Sequence, residues 1–239
     1  MGIRLVRLFS IVTLLALAAA SAAAQEWTDF VSRDDGFRVN FPGEPKVTPA
    51  TYTSEYGASL PSRVYATTRG SERYSMTVVD YRPIEKLLTE RSKQCPPFAD
   101  ERCTGIGAGA AVGFGYWKTD VRGALVWASW QFMQRDAKVT HYMWNFIDLV
   151  EGHQLQLTNA DRSRTFVAIY MHQNRLYILE GTVPDGYPEP GLFQQSLGFV
   201  DQDGNTVRYR DYYDNDYPPP ALVPGRGAGA GAAPPGGAR

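Results

Sequence analysis

Two cysteines, three histidines and one glycine-rich run are the places in this chain where residue type and spacing could support chemistry. Cys95 and Cys103, the only cysteines, stand in "KQCPPFADERCTG". A redox pair wants Cys-x-x-Cys at a helix start, where the dipole lowers a thiol pKa, and neither that spacing nor that context is present. A zinc site needs two further ligands at suitable spacing, and no other Cys or His lies near. In an exported chain an even cysteine count reads first as a disulfide, and Pro96-Pro97 favours a turn that brings the sulfurs together. Such a ring would stabilise the fold by roughly 2.5 kcal/mol if it forms without strain.

The run "GIGAGAAVGFG" (105–115) contains Gly105-x-Gly107-x-x-Ala110, a relaxed dinucleotide fingerprint. That mechanism requires a buried strand before it, a helix after it and an acidic residue at the end of the next strand, and the disulfide loop stands where the strand should be. The run reads as a small-residue helix or loop packed close to a sheet, and no cofactor is expected. His141, His153 and His172 fall on predicted strands. If the strands carrying 141 and 153 pair, the two rings could approach each other beside Asp148 or Glu151 as a thin metal or acid–base site. Their spacing matches no ligand motif, and strand histidines that are partly buried or at the surface are the commoner case. Gly-x-Ser-x-Gly is absent. "DQDGN" (201–205) has its glycine misplaced for a calcium loop and lacks the bidentate glutamate, so it reads as a hairpin turn. No catalytic set assembles, and an enzyme is not expected.

Aromatic residues are the most suggestive feature. Tyr142, Trp144 and Phe146 alternate along one predicted strand, and Trp130 and Phe132 share a face of the one before it. Large aromatics usually dominate interiors, so the ladder is expected in the core between sheet and helix; exposed, it would stack on sugar rings or grip an apolar peptide or lipid. Trp127, on the face opposite Trp130, is the better candidate for an exposed ligand contact. Tyr116 and Trp117 could rim the glycine-rich segment.

The elements that position these residues follow from periodicity. "GFRVNFP" alternates Phe37, Val39 and Phe41 against Arg38 and Asn40, a half-buried strand ended by Pro42. Residues 61–70 and 72–82 form a hairpin around Gly70-Ser71, and Pro83 opens a helix with Ile84, Leu87, Leu88 and Arg91 at helical spacing. Strands are predicted at 123–134, 139–150, 153–160, 165–173 and 175–184, with a tight Gln173-Asn174 turn. A short helix over 188–200 should turn Leu192, Phe193, Leu197 and Val200 inward, and Asp203-Gly204 turns into a last strand over "NTVRYRDYY". Strands, helix, antiparallel strands and helix make a single α+β domain built on an antiparallel sheet.

On the residues "GFRVNFPGEP" (36–45) and "LFQQSLGF" (192–199), the chain resembles the PsbP-like fold, which DcrB-type bacterial envelope proteins share. The resemblance spans residues 27 to 200 in outline and carries packing and turn residues only. The glycine-rich insert at 105–115 departs from the family pattern. Members are chiefly binding, assembly or accessory proteins, so the resemblance implies such a role and brings no catalytic residues.

The two ends set the location. Arg4 and Arg7 precede an apolar stretch from Leu8 to Ala20, and Ala22-Ala23-Ala24 supplies the small residues of a cleavage site. Residues 1–24 therefore read as a secretory signal, leaving a globular domain over 25–213 in the periplasm or outside the cell. The apolar stretch is short for a bilayer, and no membrane span is expected after cleavage. Losing Arg4 and Arg7 takes the formal charge from −1 to −3. With no dense Lys/Arg run, nucleic acid is not an expected partner. Residues 214–239 end in Pro, Gly and Ala, a composition that buries too little apolar area to order itself. Two functions emerge as expectations. One is a non-catalytic accessory domain that binds an envelope protein through a sheet surface or aromatic edge; the other is a carbohydrate or apolar-ligand binder with a pocket lined by Trp117, Trp127 or Trp144.

Overall fold

A computed structural model describes residues 27–98 and 116–215. The proposed signal, Cys103, the glycine-rich segment and the tail from residue 216 lie outside the described residues. Among the described residues, eleven strands and three helices run in the order β1 (Trp27–Ser32), β2 (Phe37–Pro42), β3 (Lys46–Thr53), β4 (Ser59–Arg69), β5 (Glu72–Asp80), α1 (Ile84–Ser92), α2 (Tyr116–Met133), β6 (Ala137–Ile147), β7 (Val150–Asn159), β8 (Arg164–His172), β9 (Arg175–Val183), α3 (Gly191–Gln194), β10 (Gly198–Val200) and β11 (Thr206–Val207). The architecture is α+β on antiparallel sheets. A seven-stranded sheet has the order β3-β4-β5-β9-β8-β7-β6, and a smaller one the order β1-β2-β10-β11.

Each face of the large sheet carries its own core. On one face, α1 and α2 bury Ile84, Leu88, Val121, Ala124, Ala128 and Phe132 against Leu155, Val167, Ile169 and Ile178. On the other, the small sheet and α3 bury Phe37, Phe41, Phe193 and Phe199 against Tyr65, Met76, Tyr170 and Tyr177. Coverage from both sides explains the unbroken apolar runs "FVAIYM" in β8 and "LYIL" in β9, whose residues are almost all buried.

The turn between β1 and β2 pins the small sheet to the large one. Asp35 is nearly fully buried. Its carboxylate accepts both prongs of the Arg63 guanidinium, with Nε at 2.6 Å, and the Tyr65 hydroxyl. Its carbonyl accepts the Tyr177 hydroxyl at 2.8 Å. Gly36 follows at φ 70°, a conformation open to glycine at little cost, and its carbonyl accepts the Val200 N–H. That last bond brings β10 beside β2, so both ends of the domain meet over one turn.

Three sequence expectations are corrected. The strand expected over 123–134 is instead the second half of a helix, α2, up to Met133: Asp120, Ala124, Ala128 and Phe132 recur every fourth residue and all point inward. Trp127 therefore does not oppose Trp130; the two rings stack at 4.9 Å. The closing helix is cut to Gly191–Gln194 because residues 198–200 pair as β10, and Leu192 faces solvent while Phe193, Leu197 and Val200 are buried. The last strand shortens to Thr206–Val207 plus one parallel bridge, Val150 to Tyr213.

Two buried titrating groups hold secondary contacts. Asp120 sits inside α2, where its carboxylate accepts the Ser54 hydroxyl and thereby ties the β3–β4 turn to the helix. Burial raises its pKa to about 6 against the hydrogen bonds from Ser54 and the Tyr56 main chain. His172 ends β8 between Phe199 and Tyr213, hydrogen-bonded to Tyr209 at 2.7 Å. Burial, and then the Arg175 charge, lowers its pKa to about 4. The signs oppose. Native Asp120 keeps a proton that the unfolded chain releases, so its contribution is full in acid and is lost as pH rises through about 6. Native His172 refuses a proton that the unfolded chain takes up, so its contribution is full above about 6.5 and is lost as pH falls toward 4. Each is worth about 3 kcal/mol over its window. His153, also lowered by burial, acts in the same sense as His172. We predict a shallow pH dependence of stability for the native protein between pH 4 and 6.5. Asp120→Asn should make stability fall steeply on acidification, whereas His172→Gln should flatten or invert that slope. Urea midpoints across this range check it, and matching slopes in the two variants would refute the assignment.

Candidate functional site

Strand β6 departs from the rule that governs the rest of the large sheet. It is an edge strand, and most of its residues are exposed. Tyr142, Trp144 and Phe146 lie on the helix side, opposite Leu155, His153 and Glu151 of β7. The expectation that this ladder fills the core is overturned, since the three rings are 45–48% exposed. Trp144 and Phe146 touch at 5.3 Å, and Tyr212 from the C-terminal segment packs on both, at 6.1 and 5.8 Å. Met143, on the other side of the strand, is 44% exposed. The result is an exposed aromatic row on one face of a sheet edge, with Met143 exposed on the other.

The direction of the main-chain groups at this edge follows from the turn that precedes β7. Asp148 and Leu149, both at positive φ, form a two-residue turn of the type that suits a tight hairpin. Such a turn closes on a hydrogen-bonded pair, here Ile147 and Val150. Alternation from that pair turns the N–H and C=O groups of Tyr142, Trp144 and Phe146 away from β7, toward the free edge. They have no strand partner among the described residues. The opposite edge, β3, carries Pro49 at its centre and Lys46 at its start, both of which discourage strand pairing. On β6 the register shift between Val139 and His141 lies toward one end, where the Thr140 hydroxyl donates to the Gln156 carbonyl. Residues 141 to 147 remain regular.

Gly152 keeps β6 in place. It pairs with Asn145 on one side and Tyr170 on the other, and the Tyr170 ring crosses the space where a Cβ would stand. The ring thereby reaches across β7, and its hydroxyl accepts a hydrogen bond from Asn145 Nδ2 at 3.2 Å. Burial raises the Tyr170 pKa to about 12, so this hydroxyl stays neutral. On the helix side, His153 Nδ1 lies 2.8 Å from the Ser129 hydroxyl and 3.1 Å from that of Tyr142.

The remaining sequence candidates separate. His141 pairs with Gln156, three positions from the His153 pairing, so the two histidines form no joint site. His172 lies in the other core layer beside Phe199. Among the described residues no group of three or more His, Cys, Asp or Glu could hold a metal ion, and no helix is long and apolar enough to cross a membrane. Cys95 lies after α1, with Sγ 3.6 Å from the Arg91 carbonyl oxygen; Cys103, its expected partner, is outside the described residues. Tyr116 opens α2, and the glycine-rich segment it was expected to rim is likewise outside. Trp117 packs against the helix-side core with the Lys118 ammonium 5.2 Å from its ring. Trp127 donates from Nε1 to the Thr53 carbonyl at 3.1 Å, near the end of β3. These tryptophans therefore do not converge with Trp144 on one pocket. A recess of about 870 Å³ opens instead on the stretch of sheet beyond α2, lined by Lys46, Arg73, Ser75, Arg135, Glu180 and Thr182 among others. Its lining carries both charge signs, with Arg135 paired to Glu180 at 2.6 Å. Sequence reasoning missed Tyr212 as part of the aromatic surface; its place in the alternating "RYRDYY" run was the only signal.

No family model matches the chain, and no curated protein does. Among solved structures it is similar to cyanobacterial PsbP from Synechocystis, at 12% identity, over 69% of this chain and 84% of that one, with a TM-score of 0.35. The PsbP family is the one the sequence resembles. An overlap of that size carries no argument about what this chain does; the α+β architecture stands on the strand pairing itself.

Gly152→Ala should drive its new methyl into the Tyr170 ring and the Ile169 carbonyl, displacing the ring from Asn145. We expect a loss of about 1–3 kcal/mol and faster amide exchange in β6 than in β3. Equal exchange in both edges would show that Tyr170 does not hold the strand.

Proposed function

We propose that this protein is an exported, non-catalytic binding domain that takes an extended segment of an envelope protein along β6. The observation that carries this reading is the coincidence of two properties in Tyr142, Trp144 and Phe146. Their rings form an exposed apolar face, and their main-chain groups point outward on an edge that has no strand partner among the described residues. A partner strand added there would satisfy those groups, while its alternate side chains would cover the rings. Main-chain bonds would give affinity, and the aromatic face would give preference for apolar side chains in the partner. An uncovered edge of this kind invites aggregation unless something pairs with it.

Two substitutions separate the contributions. Trp144→Ala removes a half-exposed ring at small cost to stability. Tyr142→Pro removes an outward N–H without breaking a ladder bond to β7. Capture by a photo-crosslinker placed in β6 of the full mature chain should yield one dominant envelope protein. Each substitution should lower that yield at least tenfold, while an equivalent probe in β3 captures nothing above background. Undiminished capture by folded Tyr142→Pro would dismiss strand addition.

A further inference from the structure

Beyond the end of α2, the helix side of the large sheet changes character in one strand after another. β9 passes from Leu176 and Ile178 to Glu180 and Thr182, β8 from Ile169 and Val167 to Thr165, and β7 from Leu155 and Leu157 to Asn159. The recess of about 870 Å³ opens where the apolar residues stop. Two adjoining cross-strand rows form it. Lys46, Ala66, Ser75 and Glu180 are successive neighbours in one, and Thr68, Arg73, Thr182 and Thr165 in the other. The small side chains of Ala66 and Ser75 make a floor between the long ones of Lys46 and Arg73.

Polarity alone is what any uncovered stretch of sheet requires. Two features go beyond it. The first is a buried donor. Thr165 and Thr182 are 3% and 6% exposed, and their hydroxyl oxygens lie 3.0 Å apart. Asn159 Nδ2 donates to Thr165 at 2.9 Å and to Ser163 at 2.9 Å. The threonine pair spends one of its two hydroxyl protons on the bond between them. The other has no acceptor among the described residues, although buried donors are nearly always bonded.

The second feature is an excess of uncommitted cations. Glu180 is spent on Arg135, with bonds of 2.6 and 3.1 Å, and the Arg135 guanidinium is further held over the Phe132 ring at 4.0 Å. Asp161 accepts the Ser163 N–H and hydroxyl and feels the Arg73 charge only as a weaker influence. Lys46 and Arg73 form no ion pair among the described residues. They stand two strands apart, roughly 10 Å, a gap that two long side chains can close from either side. The one ring in the lining, Tyr74, is buried in the opposite core, so a sugar finds no exposed ring to stack on. Donors without acceptors suit a ligand made of acceptors.

We infer that this recess binds a small organic anion, whose carboxylate or phosphate group sits between Lys46 and Arg73 and accepts the spare hydroxyl proton of the Thr165–Thr182 pair. Charge-assisted bonds from the two cations supply the attraction, and the fixed threonine pair and the Ser75 hydroxyl select for position. The site is separate from the strand addition proposed for β6, which lies at the border of the sheet opposite β3.

Succinate and glycerol 3-phosphate are the probes, each titrated into the full mature chain at constant ionic strength and followed by two-dimensional amide NMR, with glucose as the neutral control. The inference expects saturable shifts at Ala66, Arg73, Ser75 and Thr182, while β6 amides stay. A response to succinate alone identifies a carboxylate ligand, to glycerol 3-phosphate alone a phosphate ester, and to both the anionic group they share. Arg73→Gln should weaken binding about tenfold, the loss of one charge-assisted contact. Ser75→Val keeps every charge but fills the floor, and should weaken it by a similar factor; the spectra report that both variants are folded. Shifts that climb without saturating for both probes would overturn the inference. So would unchanged affinity in Ser75→Val, which would leave only a charged surface, or glucose binding as tightly as the anions.

Discussion

The Asp35 carboxylate is the contact on which the layered arrangement depends. A buried carboxylate is costly unless its acceptor capacity is filled, and here Arg63 and Tyr65 fill it from β4 while Tyr177 takes the adjoining carbonyl from β9. Arg63 keeps its outer surface in water, with its side chain 45% exposed, so the pair is only half desolvated and the geometry, rather than bare Coulomb attraction, does the positioning. Two strands of the large sheet thus hold one turn of the small one. With that turn fixed, Phe37 and Phe41 fall over Tyr65, Tyr177 and Phe193, and Gly36 is presented to Val200 so that β10 can join. The second core is assembled around a polar anchor.

The large sheet manages its two edges differently. β3 is Thr-rich and carries a proline; β6 is aromatic and regular. Since β8 and β9 are covered on both faces and β7 on much of one, apolar residues are concentrated where burial explains them. On β6 burial does not explain them. Scattered exposed apolar residues are ordinary, but here a row of them coincides with main-chain groups that have no strand partner among the described residues.

Much of the fold was legible because alternation reports pairing. The β4–β5 and β8–β9 hairpins, β2 and the start of α1 all lie where the period and the turn residues place them; the β6–β7 turn does not, since Asp148-Leu149 falls inside the strand expected over 139–150 and β7 begins at Val150. Helix α2 was misread because "ALVWASWQF" mixes β-branched and aromatic residues that favour strands, and its inward positions include Asp120 and two alanines, which carry little hydrophobic signal. β3 went unread because its exposed Thr-rich sequence leaves no apolar face to detect. For the site, alternation correctly placed Tyr142, Trp144 and Phe146 on one face. It could not reveal that the face is open, because exposure depends on which strand ends the sheet. That is settled by β5–β9 pairing about a hundred residues apart, a nonlocal contact that no local window contains.

Helix α2 also has a mechanical role that its packing alone does not convey. On one flank Trp127 bonds the Thr53 carbonyl at the end of β3; on the other Ser129 bonds His153 beside β6. Just past its end, Arg135 reaches Glu180 on the central strand β9. The helix is thereby bolted near both borders of the sheet and once near its middle, like a brace across a curved panel. Any change in the twist of the sheet must stretch one of those bonds, so the helix holds the sheet to one shape out to β7, beside β6.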